Sequence, residues 1–309
     1  MLQRSVACII LLLPAILFAQ NKNDTIVNVE GRLITLSEVV VNNKINVPVF
    51  IDRVRNDTTF YKAFRTLHII GFTAINDIRM VNSDGDIKAS LRSKIMQVRN
   101  GNCRSMQVLE ETTTGDIYDE EKNFNYYTGE MYAGLFFTKG SVCGEDNIVK
   151  GRELSTSGLS GIEKHKAQLK LLFFNPGKKI SGIPLISDKT PIFDESMADD
   201  YDMSIDMEEY NGTSCYVFKI KAKEDKKSDV VIDEMTTWFN DKTFEIVARN
   251  YSLSYDAGVY DFDVQMQVEL TKLGDLLVPS LIRYTGNWKV VFKKRERGIF
   301  TATLSDFVK

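Results

Sequence analysis

Ionisable side chains that could do chemistry are most concentrated in one acidic run, DESMADDYDMSIDMEE, at residues 194–209. The run holds eight carboxylates in sixteen residues. Oxygen-rich loops can bind calcium, but this spacing lacks the Asp-x-Asp-x-Asp-Gly pattern of a dedicated calcium site. We therefore interpret the run as a solvated acidic loop and predict no metal site.

A basic run lies near the end of the chain, on a predicted hairpin; it comprises Lys289, Lys293, Lys294, Arg295 and Arg297. These side chains could contact anionic lipid headgroups or pair with the acidic run. A third interpretation, which the pattern favours, is a charged sheet edge that prevents strand-to-strand aggregation.

Motifs for catalysis are missing from the sequence. The two histidines are His68 and His165, and His165 shares a helical stripe with Ile162 and Leu169, which is typical of a packed core histidine. There is no G-x-S-x-G elbow, no phosphate-binding P-loop and no CxxC or HExxH metal motif. The sequence predicts a protein that is not an enzyme and that uses no cofactor or metal.

Composition limits the class of protein further. The chain has 309 residues, 43% of them hydrophobic and 26% charged, which is an ordinary globular balance. Its net charge of −3 provides no overall basic field, so we expect no nucleic-acid partner.

The N-terminus has the layout of a secretory signal peptide over residues 1–20. Arg4 precedes an apolar run from Val6 to Phe18, and the small residue Ala19 precedes polar residues. The apolar run of about 13 residues is shorter than the roughly 20 needed to span a bilayer. We therefore predict secretion and no transmembrane segment in the mature chain.

The mature chain would keep three cysteines, Cys103, Cys143 and Cys215. An odd number leaves at least one of them unpaired within a monomer. A Cys103–Cys143 disulfide and three buried free thiols are both compatible with the sequence.

The remaining chain reads as a lead-in segment, 21–56, with a possible edge strand in RLITLSEVVVNNKINVPVF, followed by one α+β domain, 57–309. Apolar spacing and capping residues predict helices at 57–71, 128–140 and 160–177. Turn signals at 83–85 and 100–102 separate the strands of the first block. From residue 202 the pattern predicts an antiparallel meander with strands near 203–210, 213–222, 230–240, 243–255, 259–272, 276–285, 287–295 and 298–307.

Residues 260–271 alternate without error, with apolar side chains at even positions and polar side chains at odd positions. One face of this strand is therefore apolar along about 40 Å. Periodicity shows which face is buried but not what covers it. A cavity for a lipid-sized ligand and an ordinary core filled by the protein's own side chains both remain open.

The stretch YNGTSCYVFKIKAKEDKKSDVVIDEMTTWFNDKTFEIVARNYSLSY, residues 210–255, is followed by YDFDVQMQVELTKLGDLLVPSLIRY. This succession resembles the C-terminal strands of the outer-membrane lipoprotein-sorting (LolA-like) half-barrel family. The similar features are the aromatic-bearing strand and Asp-Lys turn of TTWFNDKTFEIV and the Gly-x-x-x-x-Pro run of GDLLVPSLIRY.

The resemblance implies a large curved antiparallel sheet, a half-barrel, whose concave face is covered by two or three helices. It also implies a periplasmic location, peripheral to the outer membrane, and a carrier or binding protein for a lipid or acylated lipoprotein. Its partners would be a hydrophobic ligand such as an acyl chain and an envelope protein complex. The alternative is a structural or protein-binding envelope component with a self-filled core.

If the carrier hypothesis is correct, the helix at 57–71 and the apolar faces of the meander would line the ligand cavity. The candidate ligand-binding residues are Phe60, Phe64, Leu67, Phe218, Trp238, Tyr260, Phe262, Val264, Met266 and Val268.

Overall fold

The computed structural model describes residues 24–149, 171–180, 186–197, 199–258, 260–290 and 294–309. The predicted signal peptide, 1–20, lies outside the described residues. So does most of the predicted helix 160–177, including His165, although residues 171–174 are described and helical.

The α-helices that lie wholly within the described residues are α1 (Glu38–Asn42), α2 (Val47–Asn56), α3 (Thr59–Thr66) and α4 (Tyr127–Phe136). Single turns of 3₁₀-helix occur at Leu67–Ile69, Ser187–Lys189, Glu195–Met197 and Glu224–Lys226. Among the helices of the described residues, none combines the length and the apolar character that a bilayer crossing requires.

The strands are β1 (Thr25–Val29), β2 (Arg32–Leu36), β3 (Gly71–Val81), β4 (Ile87–Asn100), β5 (Cys103–Thr114), β6 (Ser141–Cys143), β7 (Tyr201–Tyr210), β8 (Thr213–Ala222), β9 (Ile232–Asn240), β10 (Ile246–Asp256), β11 (Tyr260–Leu273), β12 (Leu276–Val290) and β13 (Glu296–Val308). They form one sheet in the order β1-β2-β7-β8-β9-β10-β11-β12-β13-β3-β4-β5-β6. The β2–β7 pair is parallel and the other strand pairs are antiparallel. The predicted α+β class, a large curved sheet with few helices, is confirmed.

The meander follows the predicted order from β7 to β13, with one difference. A strand break was predicted at Gly286, but β12 continues through it as a single strand. A Cβ built at Gly286 would overlap the hydroxyl of Tyr284, so the ring of Tyr284 lies over this glycine. The glycine therefore makes room for a neighbouring side chain and does not form a turn.

The lead-in segment contributes more than an edge strand. Its residues form β1 and β2 at one end of the sheet, and the run predicted to be β-prone also contains α1 and α2. The side chain of Asn46 caps α2 by accepting a hydrogen bond from Val49 N at 3.2 Å. Helical spacing then places Phe50, Ile51 and Val54 on one buried face, a 3.6-residue period that β-propensity did not reveal.

The helix predicted at 57–71 is α3 with the following 3₁₀ turn. Its N-cap position is Thr58, and Asp57 Oδ2, one residue earlier, accepts from Phe60 N at 3.4 Å. Helix α4 ends at Phe136, four residues before the predicted Gly140. Beyond it the chain must extend, because β6 pairs with β5 and places Cys143 opposite Cys103.

The apolar ribbon of β11 is buried as predicted, with Phe262, Val264, Met266 and Val268 each at most 5% exposed. The protein's own side chains cover this part of the sheet. Phe173, from the helical segment 171–174, meets the rings of Tyr284 and Trp288 on the neighbouring strand β12 at centroid distances of 5.8 and 6.0 Å. The apolar face of β11 therefore belongs to the protein's hydrophobic core at these positions.

Two interpretations of the charged runs are wrong. Much of the acidic run is strand β7, whose Tyr201, Met203 and Ile205 are buried, because the apolar residues between the acids alternate. In the basic run, Lys289 lies on β12 and Arg297 on β13, and both strands are paired on both sides, so these residues are not on an edge strand. Lys293 lies outside the described residues. No group of three His, Cys, Asp or Glu side chains in the described part of the chain could hold a metal ion.

Of the two cysteine arrangements that the sequence left open, the structure has the disulfide. Cys103 and Cys143 are bonded across the β5–β6 pair, and Cys215 is a buried free thiol.

Candidate functional site

A cavity of about 200 Å³ lies between helices α3 and α4 and strands β3, β4 and β13. Its apolar walls come from both helices, from the segment 171–174 and from the sheet; they include Phe64, Leu67, Phe136, Phe174, Ala302 and Leu304. The side chains of Arg65, His68 and Glu145 are 29%, 33% and 26% exposed and mark where the cavity reaches the surface.

Aromatic rings hold the covering elements together above the cavity. Phe64 of α3 stacks on Phe174 at 4.1 Å between ring centroids, and Phe136 of α4 meets Phe174 edge-on at 5.8 Å. Phe136 also stacks on Phe300 of β13 at 5.0 Å. Because small side chains, Ala74 and Ala302, lie on the sheet beneath these rings, the space between sheet and helices is not filled.

Two buried amides interrupt the apolar floor. On β3 the inward positions include Phe72, Ala74, Asn76 and Ile78, and on β4 they include Ile95 and Gln97. Asn76 is 1% exposed and Gln97 is 2% exposed, and both line the cavity. Buried amides need hydrogen-bond partners, so their contacts indicate what polar capacity the cavity offers.

The amide of Gln97 is fully engaged. Its Nε2 donates to the carbonyl oxygens of Leu67 at 2.6 Å and Ile70 at 2.8 Å. Its Oε1 accepts from Arg104 at 3.1 Å and from the hydroxyl of Thr138 at 3.0 Å. Gln97 therefore fixes the end of the α3 region to strand β4 and has no capacity left for a ligand.

Arg104 and Glu145 form an ion pair at the rim. Arg104 Nε donates to Glu145 Oε2 at 2.5 Å and a second guanidinium nitrogen donates to Oε1 at 3.2 Å. His68 Nδ1 lies 2.9 Å from the same Oε1. The carboxylate thus joins a residue of β5 to a residue of the 3₁₀ turn after α3.

The charges around Glu145 alter its protonation. Burial of the carboxyl group raises its pKa, but the hydrogen bond from Arg104 and the positive charges of His68, Arg104 and Arg65 outweigh this effect. The pKa of Glu145 is therefore lowered from its ordinary value of 4.5, and the group is a carboxylate at neutral pH.

Residues 141–147, here called the mouth segment, bring Glu145 to the rim. The disulfide attaches the segment to β5, and Asp146 accepts from Arg65 of α3 at 2.8 Å. Asn147 Nδ2 donates to the hydroxyl of Thr66 at 3.4 Å. The segment therefore lies across the end of α3, beside the opening of the cavity.

Of the residues predicted from the sequence to bind ligand, Phe64 and Leu67 line this cavity. Phe60 lies one turn earlier on α3, with its ring 5.5 Å from that of Phe64 and under the guanidinium of buried Arg249 at 4.4 Å.

The other predicted residues lie elsewhere on the sheet. Phe218 packs against Phe50 of α2 at 5.9 Å, Phe262 stacks on Trp288 at 4.9 Å, and Met266 accepts a hydrogen bond from the hydroxyl of Tyr251 at 3.2 Å. Val264 and Val268 are fully buried on the same strand as Met266. Strand β11 begins at Tyr260, whose side chain is outside the described part of the structure.

Trp238 belongs to a separate cluster with Cys215, Val217 and Ala248, and its ring lies 4.9 Å from Tyr210. Its strand neighbour Phe239 faces Phe50 of α2 instead. Because successive side chains of a strand point to opposite faces, Trp238 is on the face away from the helices. The aromatic character of the strand did not distinguish Phe239, which faces inward, from Trp238.

Sequence reasoning missed Asn76, Gln97, Arg104, Glu145 and Thr138. A signal existed for the two amides, because each occupies an inward position in an otherwise apolar alternation. Arg104 and Glu145 are 41 residues apart in the chain and meet only because β6 returns to β5, so no local pattern could pair them.

Sheet, helices and cavity together define an α+β protein in which a curved antiparallel sheet is covered on one face by helices and encloses a small pocket. No protein-family model matches the sequence, and a comparison with curated proteins finds no match.

Two solved structures are similar to this chain. A DUF1329 family protein from Desulfovibrio piger is 12% identical, over 81% of this chain and 93% of its own, with a TM-score of 0.23. An outer membrane lipoprotein-sorting protein domain from Vibrio parahaemolyticus is 8% identical, over 79% of this chain and 88% of its own, with a TM-score of 0.25.

Proposed function

We propose that this chain is a non-catalytic binding protein of the cell envelope that holds an apolar ligand, a lipid or an acyl chain, in the cavity under α3 and α4. Secretion to the periplasm is part of the proposal and rests on the signal-peptide pattern of residues 1–20. The observation that carries the binding function is the cavity of about 200 Å³ with aromatic and aliphatic walls.

Binding would be driven by removal of apolar surface from water, at about 25 cal/mol per Å² buried on the ligand and on the cavity walls. The rim supports this assignment. Arg104 and Glu145 form an ion pair, so an apolar ligand in the cavity would not bury either charge without its counter-ion.

We propose that ligand entry involves movement of the mouth segment or of the end of α3. Contacts between them involve side chains that are partly exposed, such as Arg65 with Asp146, and exposed ion pairs contribute little to stability. We propose that these contacts open to admit ligand while the Cys103–Cys143 bond keeps the mouth segment attached to β5.

A second candidate function is a structural or protein-binding envelope component without cargo. The burial of the inward residues of β11 and the packing of Phe173 on the neighbouring strand β12 favour it, because the protein's own side chains fill this part of the helix-covered face. The two candidates differ in one respect, which is whether the cavity accepts a ligand.

The test is to purify the mature protein after export, denature it and search the extract for lipid by mass spectrometry. Titration of the folded protein with an apolar fluorescent probe is the second arm. The carrier function predicts a co-purified apolar compound or saturable probe binding. Absence of both would overturn it in favour of the second candidate.

A matched pair of variants locates the binding. Ala302→Val fills space in the cavity and is expected to weaken probe binding about tenfold or more, with stability maintained. Ala222→Val makes the same change on β8, outside the cavity, at a residue 2% exposed. Equal probe affinity in both variants would show that the probe binds elsewhere.

A further inference from the structure

The buried amide of Asn76 is only partly satisfied. Its Nδ2 donates to the hydroxyl of Ser93 at 3.3 Å, and no other hydrogen bond of this side chain occurs among the described residues. The side chain is 1% exposed and lines the cavity, between Ala74 and Ile78 on the inward face of β3.

The other buried amide of the cavity, Gln97, differs from Asn76 because its hydrogen-bonding capacity is filled. Gln97 makes four hydrogen bonds in the same cavity wall, through both ends of its amide. An amide can donate two hydrogen bonds and accept two, so Asn76 has capacity that its protein neighbours do not use. Burying such a group without partners costs free energy, which a ligand group could recover.

A hydroxyl fits this capacity best. Oxygen and nitrogen of an asparagine amide are assigned from their hydrogen-bond network, and here the network consists of one hydroxyl, Ser93 Oγ. A ligand hydroxyl can donate to the amide oxygen or accept from the amide nitrogen, so it matches either orientation. A plain alkyl group matches neither.

The volume limits the size of the ligand. A cavity of about 200 Å³ is similar in size to an apolar cavity of about 150 Å³ that holds one benzene ring, which has six heavy atoms. One ring or one chain segment of about that number of heavy atoms fits, and several acyl chains side by side do not.

We propose that the cavity selects a hydroxylated apolar ligand of one ring or one short chain, whose hydroxyl hydrogen-bonds to Asn76. This inference rests on the proposed binding function and specifies its ligand class. The walls formed by Phe64, Leu67 and Phe174 enclose the apolar body, and Asn76 recognises the polar end.

The experiment uses two probes of nearly equal shape, p-cresol and p-xylene, which differ by a hydroxyl in place of a methyl group. Calorimetric affinities for both are measured with the wild type and with Asn76→Leu, which keeps the side-chain volume and removes the amide. We expect the ratio of the two affinities to shift by about tenfold toward p-xylene in the variant.

Ser93→Ala is the control, since it removes the other hydrogen bond of the amide but leaves the amide in the cavity. It should retain the wild-type preference for p-cresol. A measurement on the wild type avoids dependence on variant folding: both rings exert a ring-current shift on the side-chain amide resonance of Asn76, and p-cresol should add a further shift from the hydrogen bond that p-xylene does not produce.

The outcomes separate the two proposals. If neither probe binds and no apolar fluorophore binds, the proposed function fails. If both probes bind with the same affinity ratio in wild type and Asn76→Leu, the binding function stands and the hydroxyl inference is overturned. A buried water that satisfies Asn76 and stays in place would give this second result.

Discussion

Cys103 and Cys143 lie directly opposite each other across β5 and β6, with their Cα atoms 3.9 Å apart and a sequence separation of 40. Glu145 follows two residues after the bond and pairs with Arg104, the residue next to Cys103. The disulfide and the ion pair therefore form two adjacent links between the mouth segment and β5, one covalent and one electrostatic.

Replacement of both bonded cysteines, Cys103→Ser with Cys143→Ser, should lower the free energy of unfolding by about 2–5 kcal/mol, because the closed loop no longer restricts the unfolded chain. Urea denaturation measures the change. Dithiothreitol should destabilise the wild type by a similar amount and leave the double variant unaffected. A double variant that still responds to the reductant would contradict this account.

Glu145→Gln should remove part of the protein's acid sensitivity. Because the pKa of Glu145 is lowered in the folded state, its contribution to stability is present above its ordinary value of 4.5 and is lost as pH falls below that value. The difference in unfolding free energy between wild type and variant should thus be largest near pH 7 and shrink below about pH 4.5.

The matched control for that change is Glu120→Gln, which alters an exposed carboxylate outside the Arg104 network. Its stability should follow the wild type across the same pH range. If the Glu145 and Glu120 variants have parallel pH profiles, the ion pair does not contribute as described.

Cys215 should resist thiol reagents in the folded protein. It is fully buried, and burial raises the pKa of its thiol to about 11, so the reactive thiolate is scarce at neutral pH. A chain lacking residues 1–20 should therefore show no reactive thiol when native, one in denaturant, and three in denaturant after reduction. Rapid labelling of the native protein would mean that Cys103 and Cys143 are not bonded or that Cys215 is accessible.

Two glycine-to-alanine changes should have opposite signs. Gly286→Ala would force the ring of Tyr284 to move and should destabilise the protein by about 1–3 kcal/mol. Gly134 lies within α4, and a Cβ there would meet no described heavy atom within 4 Å. Gly134→Ala should therefore raise stability by about 0.5–1 kcal/mol, which thermal unfolding of both variants would reveal.

Much of the fold could be predicted because its determinants are local. Asn211-Gly212 specifies the β7–β8 hairpin, and the alternation of 260–271 specifies which face of β11 is buried. Helix α2 was missed because Val47, Phe50, Ile51 and Val54 carry β-prone side chains at helical spacing, and the tertiary contacts of Phe50 decide in favour of helix.

The candidate site was predictable only in part. Phe64 and Leu67 could be assigned to the cavity from the stripe of α3, since amphipathic spacing shows the inward face. The polar rim depends on contacts between β5 and the mouth segment, and these depend on a disulfide whose formation the sequence left open. Side-chain packing decides whether an inward-facing residue lines the cavity or packs against another side chain. Phe60, for example, packs against the guanidinium of Arg249.

The position of β13 has a consequence for how the molecule assembles. This strand, Glu296–Val308, is the last in chain order, yet it lies inside the sheet, between β12 and β3, and its partner β3 is more than 200 residues earlier. Strands β3–β6 cannot join β7–β12 in one sheet until β13 is in place. Because loop closure over such separations is slow, the cavity walls contributed by Ala302 and Leu304 should form late in folding. Until then, the set β3–β6 and the set β7–β12 should each expose an unpaired strand edge.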